Sequence, residues 1–427
     1  MSYINEQIHT LGGLNVHMIP TDKFKTLTLF LQFRSPLEKE DITKRALLSY
    51  VLKSSTAVSQ SSQALQHRLD DLYGATLSTA LSKKGDNHLL SLFVTVANER
   101  FISGAESLLD DAISLLTEVV FQPNAEAGHF DEKTVKKEKR ALKQRLESIV
   151  DDKMRFANQR LIDEMCPNES YRLHTYGYQD ELEKITAEEL FRYYQKMLAE
   201  DQLDLYIVGD FETNQVLERV KASLLFKERQ APAAADRRFS PIVPERVNTV
   251  KEQQDVEQGK LNLGFRTNII FGDALYHASQ VFNGLFGGFP HSKLFMNVRE
   301  KASLAYYAAS RYESYKGLLI VMSGIEFENY DQAVDIIKEQ LAAVQKGDFS
   351  EHEIDQTKAL LKNAILESLD SPFSLIDLLY QDVLSGETHP VETWLRQIDG
   401  VTRDDIVRVA EQTSLDTIYF LQGEEGR

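Results

Sequence analysis

Arg299 and Tyr306 have side chains that could hold a peptide. They lie in the stretch from Ser292 to Tyr306, which reads S-K-L-F-M-N-V-R-E-K-A-S-L-A-Y. A guanidinium group offers several N–H donors and a phenol offers one O–H donor, and both can bind the carbonyl oxygens of a peptide. Together they could also stabilise negative charge that develops on a carbonyl oxygen.

The elements around these two residues are predicted to bring them to one place. A helix is expected to end near Lys301, because the apolar residues before it follow a helical spacing: Leu294, Phe295 and Val298. The run from Leu304 to Ser310 predicts a strand. Arg299 and Tyr306 would then meet at one end of a sheet. The alternative is that Arg299 is a helix-end cation in an ion pair and that Tyr306 packs the sheet.

The motif R-E-K-A-S-L-A-Y, residues 299–306, resembles the C-terminal half of insulinase-type (pitrilysin-type, M16) zinc peptidases, where such a motif follows a glycine-rich stretch. Here that stretch is N-G-L-F-G-G, residues 283–288. The resemblance implies that Arg299 and Tyr306 contact the substrate backbone from the domain opposite the zinc.

Composition limits the classes of partner and of site. The formal net charge is −17, which argues against nucleic acid or an anionic membrane as a partner. Cys166 is the only cysteine, so we expect no intrachain disulfide, no cysteine-rich metal site and a cytoplasmic location. Cys166 itself is expected to be a packed thiol. The N-terminus lacks the pattern of a secretory signal, and the apolar runs are too short to span a bilayer.

The two halves of the chain repeat each other. I-T-A-E-E-L-F-R at 185–192 is matched by V-T-R-D-D-I-V-R at 401–408. Both predict a helix start with Thr186 or Thr402 as the N-cap and an acid three residues later. Each helix precedes a short apolar strand that ends in glycine. Upstream, residues 141–148 are echoed by residues 361–368.

This repeat predicts an α+β fold of two homologous halves, each with a mostly antiparallel sheet flanked by helices. Residues 229–243 have the Ala, Pro and charged composition of a linker. The predicted domains are therefore 1–228, a linker at 229–243, and 244–427. By resemblance the halves form a clam-like chamber, as in the mitochondrial processing peptidases.

The zinc signature of the family is missing. Active members carry H-x-x-E-H on a helix of the first half, where two histidines bind zinc and the glutamate acts as general base. Aligned to that helix, this sequence has Ala46, Ser49 and Tyr50. No two of the ten histidines lie three to five residues apart. A site built from distant histidines stays open at this point.

The distal part of the zinc site is also altered. A later acidic helix keeps Glu138, but the position seven residues on, where the family places its distal ligand, is Arg145. A cation at that position would repel a divalent metal. We therefore expect no metal and no cofactor in this chain.

Together the two signatures resemble the non-catalytic subunit of heterodimeric bacterial insulinase-type peptidases. The resemblance implies a partner subunit with an intact H-x-x-E-H that holds the zinc, and a peptide or unfolded polypeptide as substrate. It also implies a link to the modification of translation elongation factor P. The alternatives are a purely structural or binding subunit of the same fold, and an independent hydrolase with an unrecognised metal site.

Overall fold

The computed structural model describes residues 3–104, 107–224 and 240–423. These residues form two compact units. The N-unit holds residues 3–148 and 173–224, and the C-unit holds residues 149–172 and 240–423. Most of the predicted linker, residues 229–243, lies outside the described residues, and residues 240–247 carry neither helix nor strand.

The strands, in chain order, are β1 Gln7–Leu11, β2 Leu14–Pro20, β3 Thr26–Pro36, β4 Thr76–Lys84, β5 Asn87–Ala97, β6 Ala125–Glu126, β7 His129–Phe130, β8 Gln202–Gly209, β9 Asn248–Gln253, β10 Gly259–Arg266, β11 Ala305–Glu313, β12 Leu318–Ile325 and β13 Ser414–Gln422. The α-helices are α1 Lys39–Leu52, α2 Ser62–Asp71, α3 Leu108–Phe121, α4 Glu132–Asp151, α5 Lys153–Met165, α6 Gln179–Leu182, α7 Ala187–Glu200, α8 Thr213–Ser223, α9 Tyr276–Asn283, α10 Tyr330–Gln345, α11 Glu351–Ser368, α12 Pro372–Ser385, α13 Val391–Gly400 and α14 Arg403–Gln412. Two π-helices, Gly284–Gly288 and Phe295–Lys301, follow α9.

Each unit is built on a mostly antiparallel sheet. The order is β1-β2-β8-β3-β5-β4 in the N-unit and β11-β12-β10-β13-β9 in the C-unit. Within each sheet one pair is parallel, β2 with β8 and β9 with β13. Apart from β1, the two sheets have the same topology. The N-unit order β2-β8-β3-β5-β4 corresponds strand for strand to the C-unit order β9-β13-β10-β12-β11. The predicted α+β fold of two homologous halves is confirmed.

The predicted helix starts of the repeat are confirmed in detail. The Thr186 side chain accepts a hydrogen bond from the Glu189 backbone, and the Glu189 carboxylate accepts one from the Thr186 backbone. Thr402 and Asp405 form the same reciprocal pair at the start of α14. Each box satisfies two backbone N–H groups that a helix end leaves open.

Alternation along the strands builds the core of each unit. In the N-unit, Leu29 and Leu31 on β3 are fully buried in the core. In the C-unit, Leu261 and Leu263 on β10 are fully buried in the same way. Burying each such side chain stabilises the fold by about 1.5–3 kcal/mol. None of the helices that the structure describes combines the length and apolar character needed to cross a membrane.

Candidate functional site

The connection from the second π-helix into β11 carries both predicted substrate-binding residues. As predicted, the helix ends at Lys301 and the strand begins at Ala305. Between them, Ser303 takes a left-handed conformation with φ +52°. Side chains other than glycine rarely adopt that region, so the short connection stores strain of the kind that collects at functional sites.

Tyr306 lies in a β-bulge. The pairing of β11 with β12 shifts register between Ala305 and Tyr307, and the Tyr306 side chain is 80% exposed. A bulge bends the strand and re-aims a side chain away from the ladder. The alternative in which Tyr306 packs the sheet therefore does not hold, because its ring lies in solvent. β11 is also an edge strand of its sheet.

Arg299 lies on the second π-helix and is half-exposed. Its guanidinium carbon stands 4.6 Å from the centroid of the Phe295 ring, and its Nε lies 3.5 Å from a carboxylate oxygen of Glu300. The ring supports the guanidinium from one side by a cation–π contact. The ion pair is exposed and weak, so the planar fork remains available to a ligand. That Arg299 and Tyr306 meet in one site stays a prediction.

Glycines let the helical part of the motif pack tightly against β11. A Cβ on Gly287 would stand 2.6 Å from the Ser310 hydroxyl oxygen and 2.7 Å from the Ser310 backbone nitrogen. The Ser310 hydroxyl donates a hydrogen bond of 2.7 Å to the Asn283 side-chain oxygen. The glycine-rich stretch thus fixes the position of the strand that carries Tyr306.

The first two positions aligned with the zinc helix offer nothing to a metal. Ala46 on α1 is fully buried in the N-unit core and has no ligand atom. Ser49 is 2% exposed and its hydroxyl donates to the Ala46 carbonyl at 2.8 Å, within the helix. Neither residue fits a zinc site, which needs histidine, cysteine or carboxylate ligands.

Tyr50, the third aligned position, is half-buried among charged groups. Burial raises the pKa of the Tyr50 hydroxyl, the nearby Tyr176 and Glu138 raise it further, and Arg145 opposes them. The structure therefore brings Tyr50 and Arg145 into one neighbourhood. That both stand where the family places zinc ligands stays a prediction. The phenol keeps its proton at neutral pH and can donate a hydrogen bond.

Glu138 and Arg145 on α4 have other partners than a metal. A Glu138 carboxylate oxygen accepts a hydrogen bond of 2.8 Å from the Ser54 hydroxyl and pairs with Lys137 at 3.0 Å. The Arg145 guanidinium stacks on Tyr176, with 5.0 Å between its carbon and the ring centroid. Within the described ranges, no group of three or more His, Cys, Asp or Glu side chains is placed to hold a metal ion.

Cys166 is a packed thiol, as predicted. It is fully buried, and burial raises the pKa of the thiol to about 12, with the nearby Glu169 adding to the effect. At neutral pH the group is a thiol and not a thiolate nucleophile.

The sequence interpretation missed Tyr176 and the π-helical form of the motif. Tyr176 lies in the loop before α6 and reaches Arg145 by a contact that no local pattern records. The signal available was Gly177 between two tyrosines, which indicates a turn with close packing. The apolar spacing before Lys301 indicates a helix but does not distinguish α from π hydrogen bonding.

Comparison with known proteins gives the chain a family. A family model described as "Peptidase M16 inactive domain" matches residues 184–361. The "Probable inactive metalloprotease YmfF" of Bacillus subtilis (strain 168) is 47% identical over 430 residues, covering 100% of both chains. The "Uncharacterized zinc protease YmxG" of the same bacterium is 22% identical over 309 residues, covering 70% of this chain and 72% of that protein.

A solved structure supports the same assignment. The crystal structure of a conserved protein from Enterococcus faecalis V583 superimposes with a TM-score of 0.92 at 37% identity, covering 99% of this chain and 100% of that one. The family resemblance drawn from the motif at residues 299–306 is therefore confirmed. This chain belongs to the M16 peptidase family, as a homologue of an inactive metalloprotease.

Proposed function

We propose that this chain is the non-catalytic, substrate-binding subunit of a heterodimeric insulinase-type zinc peptidase. In this proposal Arg299 and Tyr306 serve an active site whose zinc is held by a paralogous partner with an intact H-x-x-E-H. The substrate is a peptide or an unfolded polypeptide. The pair works in the cytoplasm.

One contrast carries the proposal. The two aligned positions Ala46 and Ser49 are packed into the N-unit without ligand atoms, while Arg299 and Tyr306 stand exposed on a strained connection. An exposed tyrosine at a bulge and a half-exposed arginine contribute little to folding. Their presence in a chain that lacks the zinc ligands of the family supports a role in binding something outside the chain.

The chemistry of the two residues suits a peptide. The Arg299 guanidinium can donate two parallel hydrogen bonds to carbonyl oxygens, and the Tyr306 hydroxyl can donate one. Such donors fix a peptide in one register and can stabilise charge that develops on a carbonyl oxygen. Zinc in the partner would supply an activated water, which this chain cannot do with the residues at its own aligned positions.

The relatives support a paired arrangement. Bacillus subtilis (strain 168) has both the 47% identical relative named as a probable inactive metalloprotease and a relative named as an uncharacterized zinc protease. Relatives with these two descriptions thus occur in one organism. A link to the modification of translation elongation factor P belongs to this proposal through the resemblance alone.

The test is peptidase activity of the chain purified alone and together with its H-x-x-E-H partner. We expect activity only from the pair, with zinc found in the partner. Arg299→Ala should lower kcat/KM of the pair by about tenfold to a hundredfold, the range for a lost hydrogen bond to a charged donor. Tyr306→Phe should lower it by about tenfold or less.

Controls separate the two alternatives. Arg311 lies on β11, the strand that carries Tyr306, and its side chain is half-exposed. Arg311→Ala should leave the activity of the pair unchanged. A purely structural subunit would give a pair in which Arg299→Ala behaves like Arg311→Ala. An independent hydrolase would be active alone, with about one tightly bound zinc per chain.

A further inference from the structure

The guanidinium of Arg145 stands in the N-unit at the position aligned with a metal ligand, and it lacks a carboxylate partner. Among the residues that the structure describes, it forms no ion pair, and its guanidinium carbon stacks 5.0 Å from the centroid of the Tyr176 ring. Arginine is almost never fully buried unless it is paired, and Arg145 is only partly exposed. Its five N–H donors form a fork that fits a carboxylate.

A second cation flanks the same place. The Lys53 ammonium lies 5.0 Å from the centroid of the Tyr50 ring. Within the described part of the chain, Lys53 also forms no ion pair. Tyr50 therefore has Lys53 against its ring and Arg145 close enough to affect its hydroxyl. The two cations and the Tyr50 O–H group provide hydrogen-bond donors for a carboxylate.

The nearest carboxylate is already engaged. Glu138 is buried, and one of its oxygens accepts from Ser54 at 2.8 Å and pairs with Lys137 at 3.0 Å. Glu138 therefore pairs with Lys137, and among the described residues it forms no ion pair with Lys53 or Arg145.

The backbone on both sides of Tyr176 is held in place. The carbonyl of Thr175 is hydrogen-bonded to the His88 ring at 3.0 Å, and the backbone N–H of Tyr178 donates to the Thr43 hydroxyl at 3.1 Å. Gly177 has φ +74°, and a Cβ there would stand 2.4 Å from that hydroxyl oxygen. The loop that carries Tyr176 is thus docked before any ligand arrives, which lowers the entropy lost on binding.

The repeat shows that packing does not demand a cation here. In the match of residues 141–148 with 361–368, Arg145 corresponds to Ile365 on α11. Ile365 packs against the hydrophobic core of the C-unit. An apolar side chain therefore satisfies the fold at this position, and the guanidinium needs another reason.

We propose that Arg145, Lys53 and the Tyr50 hydroxyl form a carboxylate-binding site where active relatives place their metal. The ligand is a peptide carboxylate, either the C-terminus or an acidic side chain. The inference rests on the proposed function in taking a peptide as the ligand, and it requires neither the partner nor zinc. The site would replace recognition by a metal cation with recognition by fixed organic cations.

The experiment measures binding of one unstructured decapeptide to the full-length chain by calorimetry. The peptide is used with a free C-terminal carboxylate, as the C-terminal amide, and as the amide with one internal glutamate. We expect the free acid or the glutamate peptide to bind about tenfold more tightly than the plain amide. Which of the two does so identifies the source of the carboxylate. Added salt should narrow the difference.

Matched variants make the result specific. Arg145→Met should abolish the preference for the carboxylate, and Lys53→Met should reduce it. Arg140→Met, on the exposed side of the same helix, should retain it. Arg299→Ala should also retain it, so failure of the proposed active-site role and failure of this site give different results.

Several outcomes would overturn the inference. They are equal binding of all three peptides, no binding of any of them, a preference that survives Arg145→Met, or the same loss with Arg140→Met. Circular dichroism of each variant checks that it folds. If Arg145→Met does not fold, Lys53→Met tests the same carboxylate preference.

Discussion

At the scale of single residues, surroundings decide what a side chain can do. Tyr306 and Tyr50 are both tyrosines in candidate sites, but one stands 80% exposed on a bulge and the other is half-buried between cations. Tyr306 is free to contact another molecule, whereas Tyr50 keeps its proton and packs among charged neighbours. The motif predicted substrate binding by Tyr306, and the role that we propose for Tyr50 depends on contacts that local sequence does not record.

His88 gives a prediction at this scale. It is 1% exposed, and burial together with the nearby Arg45 lowers the pKa of its ring to about 3. An unfolded histidine titrates near 6.5, so below that pH the unfolded chain binds a proton that the folded chain does not. The stabilisation is complete above about pH 6.5 and is lost as the pH falls toward 3.

The measurement is urea unfolding of the wild type and of His88→Gln between about pH 4.5 and 7. Glutamine can keep a donor for the Thr175 carbonyl without titrating. As the pH is lowered, the free energy of unfolding should decrease less steeply in His88→Gln than in the wild type. The two slopes should differ by up to about 1.4 kcal/mol per pH unit. His17, whose pKa is raised, contributes with the opposite sign in both proteins and cancels in the difference. Equal slopes would contradict the prediction.

At the scale of elements, local patterns were informative where the cause is local. Thr186 and Thr402 with an acid three residues on specify a capping box, and both boxes form as predicted. The helix before Lys301 was predicted, but its π form was not, because apolar spacing does not distinguish α from π hydrogen bonding. Tyr176 was missed because Gly177 docks its loop onto α1 across more than a hundred residues of chain.

Gly287 tests the packing of the glycine-rich stretch. Gly287→Ala would push a Cβ to within 2.6 Å of the Ser310 hydroxyl oxygen and 2.7 Å of a backbone nitrogen, so β11 has to move. We expect a loss of about 1–3 kcal/mol in the free energy of unfolding, measured in urea, and lower activity of the pair because Tyr306 is displaced.

The control is Gly400→Ala at the end of α13, where an added Cβ meets nothing within 4 Å. That variant should change the free energy of unfolding by less than about 1 kcal/mol, and toward stability if at all. Similar behaviour of the two alanine variants would show that the close approach at Ser310 does not constrain the motif.

At the scale of the whole molecule, the repeat predicted the two sheets but not how the chain is shared between them. Helix α5 precedes the predicted boundary at residue 228, yet it packs on β10 and β13 of the C-unit. The buried Arg266 fixes this segment by donating to the Met165 carbonyl and to Glu169, both at 2.7 Å. Such long-range contacts leave no mark in local sequence, so the repeat gave no sign that α5 packs in the C-unit.

The most direct test of the proposed active site, in which the partner holds the zinc and this chain binds the substrate, is a titration. The zinc-bearing partner is titrated with this chain while peptidase activity per zinc is measured. Activity should rise from near zero and saturate at one chain per partner. The Arg299→Ala chain should saturate at the same ratio, because an exposed side chain is replaced, but at a rate about tenfold to a hundredfold lower. A partner that is fully active alone, or an Arg299→Ala chain that restores the full rate, would contradict the claim that this subunit supplies the substrate-binding residues.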